Sequence, residues 1–239
     1  MRFVFALAMI FSFFSSGFSD ERIFYWRGDK NIKKAALTFD DGPGNSTLKI
    51  LEILKEKGVK ATFFMLGRQS ERNPNDSKKI ADEGHEIATH TYGHVNFYAY
   101  KEEDKLKAID KELALSLDII EKNTGTRPFL VRFPYGYCGQ DALDIAKENG
   151  CYAVNWTFGC DWDQNLTAEQ MRDGYLKALE NGAVFLMHDA PKNAKILTFL
   201  ADFIDAIQKE GYEIVTVSQL LGITNKKGGN NGKHLNIVN

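Results

Sequence analysis

The chain has 239 residues, 44% hydrophobic and 26% charged, which suits one domain with a sizeable core or at most two small ones. Its 30 basic and 32 acidic residues leave a formal net charge of −2 with no long basic block, so no nucleic-acid partner is expected.

The N-terminus reads as a targeting segment. One positive charge, Arg2, precedes an apolar run over residues 3–14, and Gly17 and Ser19 stand at the small-x-small spacing of a signal-peptidase site. The run is short for a membrane span, so residues 1–19 are expected to be a signal peptide, with an uncleaved anchor as the alternative. Residues 20–33 form an N-terminal extension in which "IFYWRG" predicts a strand pairing outside the main repeat.

From residue 34 the chain alternates. "AALTFD" predicts a strand. "STLKILEILKEKG" predicts an amphipathic helix, with Leu48, Leu51 and Leu54 at helical spacing, Ser46 or Thr47 as cap and Gly58 as stop. "VKATFFMLG" is a second strand, "NPNDSKKIADEG" a short helix and "HEIATHT" a third strand. A long helix ending at Gly125, the strand "PFLVRFP", the helix "DALDIAKENG" and the strand "CYAVNWTF" follow. Then come the helix "TAEQMRDGYLKALENG", the strand "AVFLMHD", a helix over 193–211 and a last strand, "YEIVTVS". Regular alternation of this kind predicts a parallel α/β sheet. Seven strand-helix units without a glycine-rich dinucleotide turn favour a (β/α) barrel over a doubly wound sheet. The barrel unit is placed at 34–222, and the polar tail over 223–239 is expected to be flexible.

Three cysteines remain in a chain expected to meet an oxidising compartment. Cys138 and Cys160 are the favoured disulfide pair, with buried free thiols, including Cys151, as the alternative.

The chemistry-bearing residues follow strands. Asp40 and Asp41 end the first, His90 and His94 follow the third, and Arg132 and Tyr135 end the fourth. Asp161 and Trp162 follow the fifth, and His188 and Asp189 end the sixth. In a parallel barrel those ends share the face on which active sites are built. On a helical turn, His90 and His94 would put both imidazoles on one side to hold a metal, and Asp41 would complete a three-ligand site with open positions. Each motif alone has a plainer reading: "DDG" as a turn, His188 as a buried histidine, Arg132 as a surface charge and Trp156 as core.

Taken together, "TFDDGP", "HTYGH", "RFPYG", "DW" and "FLMHD" resemble, in order, the five motifs of the polysaccharide deacetylases, the NodB-homology domain or carbohydrate esterase family 4. The resemblance runs from about residue 34 to 221. It implies a distorted (β/α) barrel of about seven units and removal of N-acetyl groups from N-acetylglucosamine, with a divalent metal. It further implies Asp41, His90 and His94 as metal ligands, Asp40 as base and Arg132 as its holder. His188 would be the acid, placed on the opposite wall and tuned by Asp161. The Tyr135 amide would bind the oxyanion, and Trp162 and Leu186 would wall the acetyl pocket. The fourth motif departs from the family form: Phe158, Gly159 and Cys160 stand where an earlier Asp is common.

Two imidazoles and a carboxylate suit zinc first, with cobalt, iron or manganese as alternatives. The expected partner is a glycan, with peptidoglycan ahead of chitin or chito-oligosaccharide and acetyl xylan more distant. The expected state is a monomer, periplasmic or extracellular. Aromatics near the mouth, Tyr92, Phe97, Tyr98, Tyr100, Tyr135 and Tyr137, are candidates for sugar stacking. Two other classes stay open: a silent glycan-binding protein on the same frame, and a hydrolase of small cyclic amides.

Overall fold

The computed structural model describes residues 22–190 and 194–225; the expected signal segment and nearly all of the expected tail lie outside them. In chain order the elements are β1 (Phe24–Tyr25), β2 (Lys34–Asp40), α1 (Thr47–Glu56), β3 (Thr62–Met65), α2 (Gly67–Arg72), α3 (Pro74–Asp82) and β4 (Glu86–Thr89). Then come α4 (Glu102–Thr124), β5 (Leu130–Val131), α5 (Gln140–Glu148), β6 (Tyr152–Val154) and α6 (Ala168–Lys177). β7 (Ala183–His188), α7 (Leu200–Lys209), β8 (Glu213–Ile214) and α8 (Val217–Leu221) complete the fold.

All strand pairs are parallel, in the order β1-β6-β5-β4-β3-β2-β7. β8 pairs with the start of β2, beside the stretch where β2 later meets β3. The sheet curls with its helices into a (β/α) barrel. Thr157 and Phe158, just past β6, run along β7: Thr157 N–H donates to Val184 O and Leu186 N–H to Phe158 O.

Side-chain alternation divides the core. Leu37, Phe39, Phe63, Phe185 and Met187 pack outward against α1 and α7 through Ile50, Leu54, Phe203 and Ile207. Ala36, Phe64, Ala88, Leu130, Tyr152, Val154 and Val184 pack inward, and Val215, Val217 and Leu220 close the amino end of that interior. From β2 to β7 every inward strand residue carries an even number, which sets up the site at the other end.

The structure departs from expectation in several places. β1 pairs with β6 inside the main sheet rather than outside it, because Ala153 and Asn155 N–H need partners on that edge. The last expected strand shortens to Glu213–Ile214. Thr216 and Gln219 form a reciprocal capping box that starts α8 instead. An extra helix, α2, precedes α3, and the helix expected over 193–211 breaks at Phe199 into a 3-10 turn and α7. The favoured Cys138–Cys160 disulfide is not formed. Cys138 is exposed ahead of α5, whereas Cys160 turns its sulfur toward Met171 O on α6, so the two thiols face different surroundings.

Candidate active site

The inward parity continues past the strand ends. Asp40, His90, Arg132 and His188 are the next even positions on β2, β4, β5 and β7, so all four turn into the barrel at its carboxyl end. They meet around a cavity of about 420 Å³ lined by Asp40, Asp41, His90, His94, Tyr135, Trp156, Trp162, Leu186 and His188. Of the ten predicted site residues, eight line this cavity; Arg132 and Asp161 stand behind Asp40 and His188.

Asp41, His90 and His94 bring one ligand atom each to within 4.8 Å of one another. Asp41 Oδ1 lies 3.7 Å from His90 Nε2 and 3.5 Å from His94 Nε2, and it is buried with no hydrogen-bond partner. A buried lone carboxylate oxygen between two imidazole nitrogens is unstable unless a cation completes it, so the donor set fits a divalent metal. His90 Nδ1 lies 2.6 Å from Arg132 O; donation from that nitrogen leaves Nε2 unprotonated toward the cluster. Burial pushes the His90 imidazole down to about 3, which keeps it in the neutral form a metal requires. The histidine pair does not lie on a helical turn: His94 has φ 60° and Thr91 φ 68°, so a tight loop brings the rings to 5.0 Å. α2 and α4 hold that loop. Gly67 N–H donates to Thr91 O, Arg68 N–H to Tyr92 O and Gly93 N–H to Glu112 Oε2.

Asp40 and Arg132 are both buried. Arg132 Nη1 donates to Asp40 Oδ1 at 2.7 Å and to Thr38 Oγ1 at 2.8 Å; Nε donates to Val154 O and Nη2 to Asn155 O. The guanidinium lies 4.0 Å over the Phe64 ring, which shields it from water. Burial raises the Asp40 pKa and lowers that of Arg132; their ion pair works against both shifts. Asp40 Oδ2 faces the cluster, 3.7 Å from His90 Nε2.

His188 is the register partner of Asp40 on the neighbouring strand, so the expected acid and base stand side by side rather than on opposite walls. Asp161 clamps it twice: Oδ1 lies 2.8 Å from His188 Nδ1, and Oδ2 accepts from His188 N–H at 2.8 Å. Burial alone would lower the His188 pKa. The hydrogen bond and charge of Asp161, helped by Asp40 and Asp41, lift it to about 9. Trp162 packs edge-on to the His188 ring, and Tyr135 edge-on to His94. Asp41 and Tyr135 hold φ of 73° and 59°, left-handed conformations that non-glycine residues keep only where surrounding structure enforces them.

Three contributors have roles that the motifs leave unassigned. Trp156, expected in the core, lines the cavity; its even number on the extension of β6 was the available signal. Asp189, fully buried, accepts from Thr47 Oγ1 at 2.5 Å, and Thr47 Oγ1 accepts from Gly44 N–H, which ties the turn after Asp41 to the end of β7. A Cβ at Gly42 would fall 2.0 Å from Asp189 Oδ2, so the second residue past Asp40 has to be glycine. Burial pushes the Asp189 carboxyl up to about 7. Thr38, the first residue of TFDDGP, accepts from Arg132 and donates to Phe185 O.

A parallel barrel that gathers a two-histidine, one-aspartate cluster beside a buried carboxylate and an imidazole has the donor set and flanking groups of a hydrolase site. The comparisons agree. Residues 27–154, more than half of the chain, match the polysaccharide deacetylase family, and the chain belongs to that family of hydrolases acting on N-acetyl amides. It is 34% identical over 201 residues to a peptidoglycan-N-acetylglucosamine deacetylase of Bacillus cereus, covering 82% of this chain and 92% of that protein. It is 33% identical over 195 residues to the peptidoglycan-N-acetylglucosamine deacetylase PgdA of Listeria monocytogenes, but spans only 40% of that longer protein. Among solved structures, a peptidoglycan N-acetylglucosamine deacetylase bound to 4-naphthalen-1-yl-N-oxidanyl-benzamide superposes with a TM-score of 0.80 at 31% identity, covering 87% of this chain and 97% of that one. A carbohydrate esterase family 4 pseudoenzyme from Bacillus anthracis superposes with a TM-score of 0.75 at 27% identity, covering 82% and 67%.

Proposed function

We propose that this chain is an exported, zinc-dependent deacetylase that removes the N-acetyl group from N-acetylglucosamine residues of peptidoglycan. The observation that carries the reading is the convergence on one cavity of a three-donor cluster with an orphaned carboxylate oxygen, an arginine-held carboxylate and an aspartate-held imidazole. The Bacillus cereus relative acts on peptidoglycan N-acetylglucosamine by its name, and this chain spans nearly all of it. The charged start, apolar run and small-residue site over residues 1–19 support export.

Asp41, His90 and His94 hold the metal. A divalent ion there supplies acidified water, with a pKa brought toward about 7, and a polarised acetyl carbonyl. Asp40 takes the proton of the attacking water at Oδ2, while Arg132 holds Oδ1 and keeps the carboxylate charged and aimed. The Tyr135 N–H donates to the oxyanion that develops on the acetyl oxygen. His188, protonated at neutral pH, gives the Nε2 proton to the departing amine, and Asp161 holds the ring from Nδ1. Trp162 and Leu186 wall the acetyl methyl. Adjacent Asp40 and Asp41 thus divide their tasks: one moves a proton, the other fixes the cation.

The test is acetate release by the mature protein from peptidoglycan and chitin oligomers side by side, after chelation and again after zinc is restored. Zinc-restored release from peptidoglycan supports the reading. Release from chitin oligomers alone moves the substrate to chitin, and release only from acetylated xylan, offered in a third parallel assay, makes the chain an esterase. The Bacillus anthracis pseudoenzyme shows that this frame exists without turnover. No acetate from any of these with zinc bound would make the chain a silent glycan binder, against its complete set of acid, base and donor residues.

A further inference from the structure

We propose that Tyr98 forms a second sugar subsite, outside the catalytic cavity, that receives the apolar face of an N-acetylglucosamine ring further along the same glycan chain. The inference deepens the deacetylase reading and rests on it for the substrate class.

Tyr98 is 61% exposed, the highest value among the large hydrophobic residues of the described chain. Exposed tyrosines are ordinary taken singly. This one is held from beneath. Its neighbour Phe97 is fully buried in a cluster with Val131, Phe133 and Tyr137, which pins the short turn Phe97–Ala99. Asn96 caps the turn by accepting from Tyr98 N–H at 3.0 Å. The Tyr98 ring packs edge-on to Tyr137, with centroids 4.8 Å apart and planes at 80°. Tyr137 is itself fixed: its hydroxyl donates to Asp141 at 2.8 Å, and the Lys105 ammonium lies 5.8 Å from its ring. A T-shaped contact covers at most one face of the Tyr98 ring, so at least one face stays uncovered by it. Tyr98 therefore offers a pre-oriented aromatic surface with little left to order on binding.

Its position points along a path. Tyr98 stands four residues past His94, a step of at most about 14 Å in extended chain. Tyr137 stands two residues past Tyr135. The two loops leave the carboxyl ends of the adjacent strands β4 and β5, so both open on the face that carries the cavity. That face carries three aromatic contacts: Trp162 on His188 and Tyr135 on His94 at the cavity, and Tyr98 on Tyr137 on the loops that leave β4 and β5. A pyranose ring has an apolar C–H face and a rim of hydroxyls. It matches a surface tyrosine, which presents an apolar face and one hydroxyl. With the reacting sugar in the cavity, a linear glycan leaving past Tyr135 meets Tyr98 next. The ligand is the N-acetylglucosamine ring common to peptidoglycan and chitin.

The experiment uses the zinc-loaded protein and chito-oligosaccharides from two to six residues. For Tyr98→Ala, the ratio of kcat/KM on the hexamer to that on the dimer falls about tenfold, mainly through KM. Tyr98→Phe, which keeps the ring, retains the ratio. Calorimetric titration of the hexamer in an Asp40→Asn background reads the same contact without turnover: its Kd rises about tenfold on adding Tyr98→Ala and stays within about twofold on adding Tyr98→Phe. An unchanged ratio and Kd in Tyr98→Ala, with an unchanged melting temperature, overturns the subsite. Equal losses in both variants also overturn it, since the hydroxyl and not the ring face would then be the contact. A wild-type protein that binds hexamer through Tyr98 but releases acetate from neither chitin oligomers nor peptidoglycan sinks the deacetylase reading and keeps the subsite.

Discussion

The two ends of the barrel interior use the same alternating positions in opposite ways. At the amino end those positions carry Ala36, Tyr152 and Val184, sealed by Val215, Val217 and Leu220. Polar groups between the sheet and α8 find partners there: Thr62 donates to Glu86, and the first N–H groups of α8 donate to Thr62 and Glu86. At the carboxyl end the same rows finish in Asp40, His90, Arg132 and His188, next to a buried carboxylate oxygen with no partner. The difference teaches where this chain keeps its stability and where it keeps its chemistry. An apolar, well-paired end supports an end that concentrates charge, left-handed backbone and unfilled ligand positions.

The comparison breaks first at Asp40. Asp40→Asn is expected to bind zinc as the parent does, yet to lose roughly 10²–10⁴-fold in kcat, because the base is gone while the donor cluster stays. Parallel zinc titration and acetate kinetics check this; full activity with normal zinc affinity would refute the division of tasks between the two aspartates.

Next in size is Arg132. Arg132→Met leaves Asp40 buried without its counter-charge, at a cost of roughly 3–5 kcal/mol in unfolding free energy. Urea denaturation reads this. A loss below about 1 kcal/mol would mean that the carboxyl simply takes up a proton.

At the opposite end, His85 supplies an acid-sensitive test. It is nearly buried, and burial, reinforced by the charge of Lys60, lowers its pKa from 6.5 to about 4. The unfolded chain then binds a proton that the folded chain refuses. His85 thus contributes stability fully present above pH 6.5 and lost as pH falls through the window from 6.5 to 4, roughly 3 kcal/mol in all. Denaturation midpoints across that window, in the parent and in His85→Gln, should converge at acid pH if the residue acts this way.

The smallest effect sharpens the acid. Asp161→Asn removes the largest interactions that lift His188 and leaves burial opposed only by Asp40 and Asp41, so the His188 titration should move down from about 9. NMR titration of the metal-free protein reads the shift directly. The sign also predicts a stability contribution present below pH 6.5 and lost as pH rises through about 9.

Much of the molecule is written locally in the chain. Helical spacing in α1, continuous apolar runs in β2 and β7, and the order of five short motifs identify a parallel barrel and nearly all the cavity-lining residues, because those signals depend on near neighbours. Even the inward parity that gathers Asp40, His90, Arg132 and His188 is a property of strand geometry. The capping box of α8 was equally readable from Thr216 and Gln219. Other features depend on residues distant in sequence. The Thr47–Asp189 bond joins positions 142 residues apart, and Asp161 reaches His188 across 27. Whether Trp156 packs or lines a cavity, and whether Cys160 meets Cys138 or the backbone of α6, follows from how far the sheet curls. Sequence by itself settled the residue types and the face on which each lies, since a strand's alternation is built into its backbone. Only the tertiary structure decided which of them meet and which polar atoms are left without a partner, since burial and distance arise when the sheet closes on itself.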